Sequence, residues 1–111
     1  MAATISQSNG VHSHVGIGAS ETLTAIELVE SRGLAVSVHA MDGGGTGFNS
    51  GTITIQISFD GTNYITAKDL LGTDVTFTAD GYAEISTSAK KLRVVSDSSI
   101  SDVDVFVAMP A

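Results

Sequence analysis

Cysteine and tryptophan are absent from this 111-residue chain, proline occurs once, and only 5 residues are Lys or Arg. Without cysteine there is no disulfide framework, no zinc–thiolate site and no thiol nucleophile. The 5 basic residues stand against 12 acidic ones, a formal net charge of −7. A chain so short of clustered cations is not built for nucleic acid or for an anionic membrane surface, so neither is expected as a partner. Residues Met1 to Gly10 carry neither the basic nor the apolar stretch of a secretory leader, and no apolar run approaches about 18 residues. The expectation is a single domain made in a cytoplasm.

Hydrophobic residues make up 42%, too many for a disordered acidic tail. A chain of this length buries roughly two thirds of its unfolded surface, so a core is available. Apolar and polar residues mostly alternate and β-branched types dominate, the pattern of strands with one face buried. Along Thr52–Phe59, Ile53, Ile55, Ile57 and Phe59 share one face and Thr54, Gln56 and Ser58 the other. Asp60-Gly61 then predicts a hairpin turn into Thr62–Thr66, because Gly takes positive φ without steric cost. Leu34, Val36 and Val38 mark a strand ending at Met41, followed by a Gly43–Gly47 loop read as a flexible hairpin connection that Asn49, Ser50 and Gly51 complete. Val75 and Phe77 precede Asp80-Gly81, which predicts a second hairpin into Tyr82–Ser86. Leu92 and Val94, then Val103, Val105, Val107 and Met109, supply the last strands.

Ser20–Gly33 reads in two ways. It fits a helix capped by Ser20 with Leu23, Ile26 and Val29 on one face, or a strand, favoured by its β-branched Thr22, Thr24, Ile26 and Val29. The fold class is therefore all-β: an antiparallel two-sheet sandwich, jelly-roll-like, of about eight strands over residues 21–111, with a small barrel as the alternative. Residues 1–20 hold no charged side chain and read as an extended or flexible N-terminal arm. Val11, Val15 and Ile17 fall with Ser13 on alternate positions, so the arm, together with Ile5, is a candidate to add a strand to another protein's sheet. A frayed terminus fits equally well.

Chemistry-bearing patterns are thin. His12-Ser13-His14 has the spacing of a metal-binding barrel, with Glu21 or His39 as a third ligand, but the later spacing does not fit and no second histidine pair follows. The two imidazoles read as solvent-facing polar residues. The glycine loop is followed by no lysine and no helix, which excludes a phosphate cradle. Asp102 and Asp104, with Asp97 near, read as acids on a solvated face, and no serine sits in a nucleophile elbow. No catalytic residue, cofactor or metal is expected, and the chain reads as a non-enzyme. Lys90, Lys91 and Arg93 gather three of the five cations within four positions. They are candidates for docking an acidic patch or orienting identical subunits, against the plainer role of solubilising an outer strand. Tyr64, Tyr82 and Phe106 are the only aromatics suited to a sugar platform.

The runs Thr24–Leu28, Arg32–Val38 and Gly51–Tyr64, continued by Thr78–Tyr82 and Ala89–Val94, resemble small β-sandwich structural proteins of tailed bacteriophage virions, over about residues 22 to 108. Within that group the short single domain looks most like a capsid decoration, or cement, protein. The resemblance implies a protein without catalytic residues, made in the host cytoplasm and bound to the capsid exterior as a homodimer or homotrimer. There it clamps neighbouring subunits of the major capsid protein, each weak contact reinforced by multivalency. Ile5, Val11, Val15, Ile17, Lys90, Lys91 and Arg93 are the interface candidates. The alternative is a glycan- or host-surface-binding module of a head fibre or tail.

Overall fold

In the computed structural model, which describes residues 3–8, 11–28, 36–87 and 89–109, the alternating segments form ten short strands. They are β1 (Thr4–Ser8), β2 (Val11–Ile17), β3 (Ile26–Glu27), β4 (Val36–Asp42), β5 (Ile53–Ser58), β6 (Ile65–Thr66), β7 (Thr76–Phe77), β8 (Gly81–Ile85), β9 (Lys91–Ser96) and β10 (Val103–Ala108). The described residues contain no helix.

Every pairing is antiparallel. One sheet runs β1-β2-β10-β4-β8; the other runs β3-β9-β5, with β6 and β7 following one another along the far side of β5. Counted as one interrupted position, β6 and β7 complete a second four-strand order. From β2 onward the two sheets then carry the strand order of a jelly roll, so the expected sandwich is the observed one. Ten strands replace the expected eight because β1 widens the first sheet and a loop splits the strand opposite β5.

The core lies between the sheets. Val36, Val38, Val103, Val105 and Val107 project from one sheet onto Ile53, Ile55, Leu92 and Val94 of the other, and all are buried. Burying each such side chain contributes about 1.5–3 kcal/mol.

Three local expectations change, and one open alternative is decided in its described part. Ser20–Gly33 contains no helix in its described part, only the short β3 and a bridge from Thr22 to Val95; Val29 to Gly33, like Leu34, lies outside the described residues. Phe59 does not continue the buried face of β5. The strand ends at Ser58, whose buried hydroxyl accepts from Gly61 N–H at 2.9 Å and donates to Asp60 at 3.1 Å, and the chain turns Phe59 outward. Asp60-Gly61 does form the predicted β5–β6 turn, with Gly61 at φ 87°. Asp80-Gly81 does not form a hairpin: β7 belongs to one sheet and β8 to the other, Gly81 lacks a positive φ, and the Asp80 carboxylate accepts from Asp42 N–H at 2.8 Å.

The glycine loop likewise crosses between sheets instead of closing a hairpin, and it is organised rather than loose. The Asp42 carboxylate accepts from the N–H groups of Gly44, Gly45 and Gly47, and these donors hold its pKa below the usual carboxylate range.

Candidate functional site

The N-terminal segment is not set apart from the sandwich. Residues 4–8 and 11–17 are the two strands β1 and β2, and β2 pairs with β10 as well as with β1. A bulge at Val15–Gly16 shifts the register, so that Val105 lies opposite His14 but Val103 lies opposite Ile17. The shift breaks the alternation expected of Val11, Val15 and Ile17. Ile17 turns into the core and is unavailable to a partner, while Val11 is half-buried and Val15 exposed. Ile5 is exposed at the rim of an open cleft of about 430 Å³ between β1 and β3.

The bulge also places both histidines of β2 on the inner side, against the expectation that they face solvent. His14 is buried, and neither of its ring nitrogens has a hydrogen-bond partner; the same holds for Nε2 of His12. Burial pushes the pKa of each imidazole down, and the neighbouring His12 lowers that of His14 further. The suggested third ligands do not converge on them. His39 lies on the outer face of the sheet, stacked on Phe106 at 6.0 Å between ring centroids, and Glu21 accepts from the N–H groups of Ala3 and Gly18. Among the described residues no three His, Asp or Glu side chains gather to hold a metal ion.

The basic cluster is taken up by the fold. β9 lies inside its sheet, between β3 and β5, and is not an outer strand. Arg93 lies 3.8 Å over the Tyr64 ring and donates from Nε to Gln56 at 2.7 Å, while Lys91 pairs with Glu27 at 3.6 Å. Lys90 stays exposed. The acids are used similarly. Carboxylates of Glu21, Asp42, Asp60, Asp69, Asp80, Asp97 and Asp104 each accept backbone N–H groups in loops or at the bulge. Much of the negative charge therefore organises turns, and Asp97 and Asp104, read from the sequence as acids on a solvated face, are engaged in this way.

What the fold leaves unused is one edge. Phe59, Ile65, Leu70, Leu71 and Tyr82 are 55, 57, 61, 91 and 75% exposed, and all five lie around β6, β8 and the loop between β6 and β7. That loop is a built projection. Ala67 and Val75 are buried at its base, joined by a Val75 N–H to Ala67 C=O bond of 2.8 Å. Lys68 and Asp74 bridge its neck, with Nζ 2.6 Å from Oδ1. The Asp69 carboxylate accepts from Leu71 and Thr73 N–H, and Gly72 turns the tip at φ 84°. Two leucines are thereby held in water by a hydrogen-bonded frame.

Between loop and sheet runs a groove. Leu70 and Leu71 face Tyr82 and Glu84 across a space of about 440 Å³. A second space, of about 240 Å³, lies against the next residues of the chain, where Phe59, Ile65 and Lys68 face Ile85.

No family model, curated protein or solved structure matches this chain. The edge has to be read from its own chemistry. Contiguous apolar surface held at a sheet margin marks an interaction site more often than scattered single residues do. Leu70 and Leu71 follow no strand or helix period, and their one signal in the sequence is two adjacent leucines inside the turn-rich run Asp69-Leu70-Leu71-Gly72-Thr73-Asp74.

Proposed function

We propose that this chain is a non-catalytic docking module that decorates and stabilises the outside of a tailed-phage capsid, clamping neighbouring subunits of the major capsid protein. One observation carries the reading: five of the seven large hydrophobic side chains exposed among the described residues stand on a single edge. The likeness of residues 22 to 108 to virion β-sandwiches supplies the partner. Such a protein needs no active site, because its work is adhesion. Each copy, alone or as a homodimer or homotrimer, covers a modest area, and repetition over a lattice multiplies the gain. The contact is assigned to the β6–β8 edge instead of the first 20 residues, whose described part is occupied within the sandwich.

The test is co-sedimentation with tailed-phage capsids freed of accessory proteins. The wild-type chain should pellet with shells at a fixed ratio. The double variant Leu70→Asp, Leu71→Asp should remain in the supernatant with an unchanged circular dichroism spectrum. Wild-type protein that stays in the supernatant at micromolar concentration sinks the proposal.

A second reading, a glycan-binding module, draws on the register of the larger sheet. Phe106 lies opposite His39, and His39 opposite Tyr82, so three rings line up across the outer face on adjacent strands. Tyr64, the third aromatic suited to stacking, has one face covered by Arg93. Retardation of the protein in polysaccharide-containing native gels, abolished by Tyr82→Ala, would favour this reading over decoration.

A further inference from the structure

The N-terminal segment, by sequence a candidate strand for another protein's sheet, is already paired within its own sheet as β1 and β2. The opposite margin of that sheet differs. β8 pairs with β4 on its inner flank, and among the described residues no strand pairs with its outer flank. Every second residue of an edge strand turns its N–H and C=O away from the sheet. Proteins usually blunt such an edge with charge, proline or a covering element, and along Gly81–Ile85 the only charge is Glu84. Residues 82–85 instead line the two neighbouring spaces whose other walls carry Leu70 and Leu71, and Phe59 and Ile65. Free main-chain groups on one side and apolar side chains on the other are the two requirements for accepting an extended segment.

Charge narrows the occupant. Lys68, the cation of these spaces, is paired with Asp74, while Asp69 and Glu84 line the space beside Tyr82 and form no ion pair among the described residues. A second copy meeting this edge with its own would set these acids against each other. We propose that the β8 edge accepts an extended segment of a different protein as an added strand, with apolar side chains at alternate positions against Ile65 and Leu70 and a Lys or Arg beside Asp69 and Glu84. The inference rests on the reading of this edge as a docking surface and adds the mode of binding and the chemistry of the segment bound.

Two heptapeptides of alternating valine and threonine, one with lysine at both ends and one with glutamate, serve as probes of the isotopically labelled protein. The lysine peptide should slow hydrogen exchange of the Tyr82–Ile85 amides about tenfold, and the glutamate peptide should not. Glu84→Lys should reverse that preference, each peptide's affinity changing about fivefold. Unchanged β8 amides at millimolar lysine peptide, or a charge preference that survives Glu84→Lys, overturns the proposal. The same exchange measurement on capsid-bound protein separates the two readings. Shell binding with β8 amides as labile as in the free chain removes strand acceptance and leaves decoration. Peptide binding at β8 without shell co-sedimentation supports strand acceptance and removes decoration.

Discussion

The backbone N–H of Gly16 donates to the Asp104 carboxylate over 3.0 Å, from the bulged strand β2 to its partner β10. Asp104 stands where the register slips, and Gly16 supplies the φ of 77° that the slip requires. Everything N-terminal to the bulge has its facing set by it.

Gly16→Val should therefore cost about 1–2 kcal/mol, because an L side chain in left-handed backbone meets its own carbonyl. Asp104→Ala should cost about 1–2 kcal/mol by leaving the Gly16 N–H without its acceptor. Urea midpoints with an unchanged m-value would record both losses. A neutral Gly16→Val would mean that β2 keeps its facing by other means.

Stability should fall as pH drops below 6.5, the ordinary value for the imidazoles of His12 and His14. Both have lowered pKa values when folded, so between the folded value and 6.5 the unfolded chain binds more protons. By linkage, stability is complete above pH 6.5 and declines through the window beneath it. The carboxylates of Asp42 and Asp60 are also held low, by the backbone N–H donors around them, but their loss begins only near the ordinary carboxylate value of 3.8. Glu27, at the rim of the cleft beside His12, is paired with Lys91. Urea midpoints at pH 7.5 and 5.0 isolate the histidine window. His14→Leu should shrink the difference and raise the midpoint at pH 5.0; an undiminished slope would place the titrating group elsewhere.

The all-β class and the core were legible because burial follows side-chain alternation, and Ile53, Ile55, Val103 and Val105 declare it directly. Connectivity was not legible. Asp60-Gly61 and Asp80-Gly81 are alike in sequence, yet one closes a hairpin and the other carries the chain between sheets, since the outcome depends on which distant strand each neighbour pairs with. One glycine also decided the facing of His14 and Ile17, and no periodicity anticipates a bulge. The exposed edge escaped because Leu70 and Leu71 obey no strand pattern; only the closed frame of residues 67–75 shows that they are held outward.

Two glycines of the 43–47 loop should respond differently to alanine. A Cβ on Gly47 would overlap the backbone carbonyl of Asp102, which cannot swing aside, so Gly47→Ala should cost about 1–3 kcal/mol as overpacking. Gly45 has φ 89° and no atom within 4 Å of an added Cβ, so Gly45→Ala carries only the conformational term of about 1 kcal/mol. Thermal midpoints should rank wild type above Gly45→Ala and Gly45→Ala above Gly47→Ala. The reverse order would show that the close approach to Asp102 is not what fixes the loop.

Leucine at the loop tip and isoleucine in the core should separate stability from docking. Ile55→Ala opens a cavity among buried neighbours and should cost about 2–5 kcal/mol. Leu71→Ala removes a side chain that is already in water, so the change should stay within about 0.5 kcal/mol. Leu71 serves its loop through the backbone alone, its N–H donating to Asp69 as an alanine's would; the rest of the turn is closed by the Gly72 and Thr73 amides and the Lys68–Asp74 pair. A side chain that the fold does not need, held outward by contacts that the fold does make, is what the proposed docking edge requires. Denaturation curves of the two variants test this step, and a Leu71→Ala loss comparable to that of Ile55→Ala would return the leucine to the core and withdraw it from any interface.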